Sequence, residues 1–202
     1  MAILFLKGLL FGFLLAATVG PMWVLCFRRT LAQGALAGFA SGMGIAVADG
    51  LYGAVAAFGL TAISGFLLEH GFWLGLVGGV FLVYLGVKTL LAKPGLNGAT
   101  EEKLSHSKVF LSTLGLTLAN PPTILAFAAI FAGLGLVTSD YAGAGLVVLG
   151  VFLGSAGWWI VLAAGAGWLR NRIGPKLVRA INVVSGLSIL GFAAWQLATI
   201  LR

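Results

Sequence analysis

The chain has 202 residues, of which 60% are hydrophobic and only 8% charged, with a formal net charge of +7. Charged residues make up about a quarter of a soluble domain, so a surface this poor in charge excludes a water-soluble globule. The surplus of Lys and Arg does not point to nucleic acid as a partner, because the cations stand in short clusters between long apolar runs, where the positive-inside rule accounts for them.

Uncharged runs extend from Gly8 to Phe27, Thr30 to Ala48, Gly50 to Leu68, Val109 to Ser139, Tyr141 to Leu169 and Ala180 to Leu201. Roughly 20 apolar residues span a bilayer core, and continuous runs lack the alternating rhythm of barrel strands. The expected fold is all-α integral membrane, a single domain over 1–202. Six transmembrane helices are expected at about 3–27, 36–62, 71–91, 109–136, 142–168 and 180–201.

Helix 1 opens on Met1-Ala-Ile-Leu-Phe-Leu-Lys7, which has the look of a signal peptide. Its one cation follows the apolar residues and no polar mature domain comes after, so it reads as a membrane helix. Gly20-Pro21, with Thr18 nearby, marks a break, since proline removes a backbone donor and crowds the preceding turn. Helix 2 holds Asp49, the only acidic residue inside any span. A charge at the bilayer centre costs about 2.5–3.5 kcal/mol on insertion scales. Asp49 is therefore either a cation or proton site or a protonated structural acid. Tyr52, three residues on, shares its helical face. Helix 3 ends near Lys88, a snorkelling anchor. The polar stretch 92–108, with Pro94-Gly95 and Glu101-Glu102-Lys103, is a loop joining two halves.

Helix 4 contains Asn120-Pro121-Pro122, a stronger break signal than Gly20-Pro21. The residue before a proline avoids helical torsions, and broken backbone in a membrane is tolerated only where it is buried or lines a cavity. Asn120 suits an N-cap and Pro121 a first helical position. A half-helix starting there would aim its positive end inward, a cradle for a carboxylate; the alternative is a packing kink that serves no ligand. Helix 5 carries Trp158-Trp159 at its centre, away from the interfaces where aromatics gather. The pair is a pocket wall or gate, or simple core filling.

The loops alternate in charge. The first, third and fifth carry Arg28 and Arg29; Lys93, Lys103 and Lys108; and Arg170, Arg172, Lys176 and Arg179. The second and fourth carry only Glu69 and Asp140. Odd loops are then cytoplasmic and both termini non-cytoplasmic. The halves also look duplicated: Gly20-Pro21 and Asn120-Pro121 lie one hundred positions apart, Gly38 and Gly42 answer Gly150 and Gly154, and Gly79 and Gly86 answer Gly186 and Gly191. Three helices per repeat gives opposite orientations: about 1–91, the loop 92–108, and about 109–202. Inverted repeats with interrupted helices 1 and 4 are a mark of transporters. The small-xxx-small series Gly34/Gly38/Gly42, Gly71/Gly75/Gly79 and Gly150/Gly154 allows close helix approach, within the chain or in a homo-oligomer. The lone Cys26 excludes an intrachain disulfide. His70 and His106 have no metal-ligand spacing, and neither a cofactor motif nor a catalytic set is visible.

With these motifs in order, the sequence resembles the LysE/RhtB family of amino-acid exporters along essentially its whole length. The carriers are Gly20-Pro21, Gly42-Met-Gly-Ile-Ala-Val-Ala-Asp49-Gly-Leu-Tyr52-Gly53, Tyr84-Leu-Gly86-Val-Lys88, Leu118-Ala-Asn120-Pro121-Pro122-Thr123 and Asn182-Val-Val-Ser185-Gly186. It departs where the family often has a basic residue, at Pro122, and where it has a Pro-Gly-Pro run, at Val19-Gly20-Pro21. The resemblance implies export of amino acids or related metabolites across the cytoplasmic membrane, driven by protons or membrane potential. The wider superfamily's thiol-redox branch needs two cysteines, and a metal exporter would want several intramembrane carboxylates or histidines. The expected site lies between the repeats. Asp49 receives the substrate ammonium or the coupling proton, with Tyr52 beside it. Gly20-Pro21 and Asn120-Pro121 supply helix ends, and Trp158 and Trp159 close the cavity. The competing readings are an exporter of another small solute or cation, and a non-transporting membrane scaffold with sealed packing around Asp49.

Overall fold

The structure, a computed structural model, describes residues 1–58, 69–91, 105–120, 123, 127, 140–170, 172 and 174–200. Among these residues it has seven α-helices: α1 (Ala2–Ala17), α2 (Pro21–Gln33), α3 (Ala35–Ala57), α4 (Gly71–Leu91), α5 (His106–Leu118), α6 (Tyr141–Arg170) and α7 (Pro175–Ile200). By length and hydropathy α3, α6 and most of α7 are each long and apolar enough to cross a membrane, and α1 and α2 pass the same test when taken together across their bend. The protein is an α-helical, multi-pass membrane protein.

The first expected helix is two. Gly20, the residue before proline, is extended (φ −146, ψ −174), and Pro21 opens α2 as its first residue. The axis bends by 73° between α1 and α2. The second piece runs to Gln33, past the expected end at Phe27, so Arg28 and Arg29 are helical and buried instead of lying in a loop. Partners explain the burial of Arg29. Its Nη1 donates to Ser41 Oγ and the Val109 carbonyl, both at 3.3 Å, and its Nη2 to Ser112 Oγ at 2.9 Å. A charge that gives several hydrogen bonds to oxygens can leave water. Gly34 then turns the chain into α3 at φ 99, a conformation that glycine adopts without strain.

Helix α4 has the expected bounds, and α5 begins earlier than expected, behind Ser105, whose hydroxyl accepts from the Lys108 N–H. Helix α5 stops at Leu118, just before Asn120-Pro121. The rest of the expected fourth span lies outside the described residues apart from Ala119, Asn120, Thr123 and Phe127, as does the expected end of the second. Asp140 opens α6 by accepting the N–H groups of Ala142 (3.2 Å) and Gly143 (3.0 Å). Helix α7 starts five residues ahead of the expected 180, at a proline, which suits a first helical position. This places Lys176 and Arg179 on the helix. Arg179 Nη1 donates to the Leu90 carbonyl at the end of α4, at 2.9 Å.

Helix α1 lies along α6, α6 along α3, α3 along α5, and α4 along α7. Helix α2 touches α3, α6 and α7. The α1–α6 contact is backbone on backbone: a Cβ at Gly12 would land on the Val151 carbonyl, and one at Gly154 on the Leu9 carbonyl. Small residues permit this approach where no solvent drives helices together. Gly38 and Gly42 face Thr30 and Trp159, and Gly79 faces Leu197. Gly38, Gly42, Gly79, Gly150 and Gly154 of the small-residue series thus meet neighbours in their own chain.

Candidate functional site

Asp49, in the middle of α3, is 3% exposed and turned toward α6. Its Oδ2 accepts from Ser155 Oγ at 2.7 Å, and Ser155 Oγ accepts from Trp159 Nε1 at 3.1 Å. Ser155 and Trp159 are four residues apart on α6 and so share one face. A serine hydroxyl has one proton to give. The indole N–H occupies the hydroxyl oxygen as acceptor, so that proton is left for the carboxylate. Asp49 is thereby fixed through one oxygen by a pair of residues on another helix.

Beside Asp49 is a cavity of about 230 Å³. It opens where helices end. The end of α1 contributes Leu15, Ala16 and Thr18, and the start of α2 contributes Gly20, Pro21, Met22 and Trp23. Helix α3 adds Ile45 and Asp49, the end of α5 adds Thr117 with Asn120 beyond it, and Thr123, Trp159 and Phe192 complete the wall. The N-terminus of α2 carries no side-chain cap, and its first-turn N–H groups have no partner inside the helix. It therefore brings the positive end of a helix dipole to the cavity. The C-terminus of α5 brings the opposite end.

The carbonyls at that end of α5 are served by Tyr52, whose hydroxyl donates to Leu118 O at 2.8 Å and Thr117 O at 3.2 Å. Tyr52 thus closes a broken helix end and is not among the residues lining the cavity. Asn120 does line it. Its Nδ2 donates to Thr123 Oγ1 at 2.8 Å, and its Oδ1 is buried with no hydrogen-bond partner among the described residues. The half-helix expected after Asn120, with Pro121, lies outside the described residues. Of the tryptophan pair, Trp159 reaches the cavity, whereas Trp158 packs edge-on against Phe13, with ring centroids 5.3 Å apart. Gly20 and Pro21 line the cavity together with Asp49.

Sequence reasoning missed Ser155 and Trp23. Ser155 had a usable signal: a lone hydroxyl on an apolar helix, one turn before a central tryptophan. Trp23 had none, being one more aromatic in an apolar stretch.

Apolar helices long enough to cross a membrane, with a buried carboxylate on a cavity at a helix break, fit a transporter. The LysE type translocator family matches residues 13–199. The chain belongs to the LysE translocator family, and it is a transporter and not an enzyme. It is 28% identical over 200 residues to the Bacillus subtilis (strain 168) protein named "Putative amino acid efflux protein YcgF", an alignment covering 94% of this chain and 92% of that one. It is 26% identical over 187 residues to the leucine efflux proteins of Salmonella typhimurium and Salmonella typhi, covering 90% of this chain and 88% of each of those. No solved structure matches the chain.

Proposed function

We propose that the protein exports amino acids or closely related small metabolites across the cytoplasmic membrane, and that the cavity at the helix break is its binding site. The carrying observation is that Asp49, buried and anchored by Ser155, lines a cavity that also receives the N-terminus of α2. An amino acid carries a cation and an anion on one carbon. Asp49 receives the ammonium, the helix start takes the carboxylate, and Leu15, Met22, Ile45 and Phe192 surround the side chain. The scaffold reading requires sealed packing around Asp49, and a cavity adjoins it instead. The relatives named for amino-acid and leucine efflux support the same substrate class.

Transport is coupled to protons in this reading, because proton and ammonium compete for one carboxylate. The two halves act as inverted repeats. In support, the helix contacts keep their pattern when the halves are exchanged: the start of the first span lies on the fifth, and the start of the fourth lies on the second. Second and fifth pair with each other, as do third and sixth. The end of α5 at Leu118, before Asn120, is then the second repeat's counterpart of the break between α1 and α2. Both termini face away from the cytoplasm. A thiol reagent that cannot cross the membrane will label Ala2→Cys, in a Cys26→Ala background, from outside intact cells; labelling from the cytoplasmic side alone would reverse the orientation.

Purified protein in liposomes loaded with single amino acids tests the function. At least one amino acid should leave with saturable kinetics, faster when the outside is more acidic. Export of none, by protein that reconstitutes as a folded species, would overturn the proposal.

A further inference from the structure

The hydrogen bonds from Trp159 through Ser155 to Asp49 have a direction, and it is set at the tryptophan. Trp159 Nε1 donates to Ser155 Oγ at 3.1 Å, and an indole N–H can only donate. The serine oxygen is held as an acceptor on that side, so its own proton points at Asp49 Oδ2, 2.7 Å away. The other carboxylate oxygen is placed differently. Oδ1 accepts from no described residue, yet it is not among the side-chain atoms that are both buried and without a partner. It therefore keeps open surface, on a residue that lines the cavity.

A neutral carboxylic acid has one O–H and one carbonyl oxygen, which is the stronger acceptor. With the Ser155 hydroxyl directed at Oδ2, that oxygen stays the carbonyl, and a proton taken up by Asp49 goes to Oδ1. The substrate ammonium approaches the same oxygen, because Oδ1 is the open one. We propose that Trp159 and Ser155 are a positioning pair that confines the coupling proton and the substrate ammonium to Oδ1, so that only one of them is bound at a time. This rests on the proton-coupled amino-acid reading above and names the residues that make the competition strict. When the O–H bond forms on Oδ1 the ammonium leaves, and when an ammonium returns the proton goes to water.

The other ionisable groups of the surrounding helices are engaged elsewhere or stand toward helix ends. Helix α6 carries none between Tyr141 and Arg170, and α5 none after Lys108. Helix α2 has Arg28 and Arg29 in its second half, with Arg29 held by Ser41, Val109 and Ser112, and it has Cys26, whose Sγ donates to the Gly38 carbonyl. On α3 itself, Tyr52 gives its hydroxyl to the end of α5. Asp49 is the one ionisable group among the described residues that line the cavity.

The experiment measures binding of radiolabelled leucine to the purified full-length protein in detergent, from mildly alkaline to acidic pH. Strict competition by one proton makes the parent's affinity fall by roughly tenfold per pH unit in the acid range, without levelling off. Trp159→Phe keeps a ring and deletes the N–H. The serine oxygen is then free to accept, the acid can carry its proton on Oδ2, and Oδ1 can hold the ammonium at the same time. Binding by this variant should become flat in acid where the parent still falls. Ser155→Ala removes the constraint from the other side, should level off likewise, and decides the matter if Trp159→Phe does not fold. Trp168→Phe, on the exposed face of α6, should keep the parent's profile. A parent-like fall in Trp159→Phe would overturn the assignment, including one at a uniformly weaker affinity, which would make Trp159 a packing residue. So would levelling in Trp168→Phe, or a parent that binds leucine independently of pH. These results leave the amino-acid reading standing, whereas a parent that binds no leucine would overturn that reading and this assignment with it.

Discussion

Asp49→Asn abolishes export while the protein still inserts and folds. Asparagine has nearly the same shape as aspartate, and its carbonyl oxygen can accept the Ser155 hydroxyl that now donates to Oδ2 at 2.7 Å. The Trp159–Ser155 bond survives as well. What disappears is the negative charge and the capacity to bind and release a proton. A substrate ammonium left in the cavity without its counter-charge costs about 2–5 kcal/mol, on the scale of removing one partner from a buried charge pair. That corresponds to a loss of roughly thirtyfold to several thousandfold. The parent has a further signature. Protons displace the ammonium from the carboxylate on the release side, so efflux from substrate-loaded vesicles rises as the external pH falls. The variant loses both the efflux and its pH dependence. Parent-like efflux by Asp49→Asn would defeat the mechanism and make Asp49 a structural acid.

Gly154→Ala destabilises the protein, and Gly157→Ala, one turn away, does not. A Cβ on Gly154 would meet the Leu9 carbonyl oxygen and lie 2.8 Å from the Phe13 nitrogen. Both are backbone atoms of α1, so no side chain can swing aside and the two helices must separate. Overpacking costs about 1–3 kcal/mol where neighbours adjust, and the upper end applies to a contact between two backbones. A Cβ on Gly157 meets nothing within 4 Å, and alanine is the better helix former by about 1 kcal/mol. Thermal unfolding of the detergent-solubilised variants reads the difference: a clear drop in midpoint for Gly154→Ala, and an unchanged or higher one for Gly157→Ala. Equal midpoints would mean that α1 and α6 are not locked together.

Much of this was legible in the sequence because the bilayer makes a few residue properties decisive. Long uncharged runs had to be spans, proline at position 21 had to cost a hydrogen bond, and an acid at position 49 had to be handled by the protein. What escaped depends on distant partners. Arg28 and Arg29 read as loop residues because a cation alone prefers water. Arg29 is buried only because Ser41, Val109 and Ser112, 12, 80 and 83 positions along the chain, direct oxygens at it. Tyr52 was expected to share the site of Asp49. Three residues along a helix leave the two side chains about 60° apart, enough to send the carboxylate to α6 and the phenol to the end of α5. The position of the α2 start was foreseeable from Pro21, but its meeting with the end of α5 was not, since no local pattern records which helix ends converge.

The bond between Asp49 and Ser155 also has a history in time. The two residues are 106 positions apart, and chains grow at about 5–20 residues per second. Helix α3 therefore waits in the membrane for roughly 5–20 s before the ribosome has made its partner. It is poorly equipped for the wait, with a mean hydropathy of 1.3 against 2.2 for α6. The glycine seam between α1 and α6 is delayed in the same way, since Gly12 meets Val151, and Leu9 meets Gly154, only once the fifth span exists. Assembly of the site is thus a late event of biosynthesis, and a nascent chain released after its first three spans has the acid without the hydroxyl that holds it.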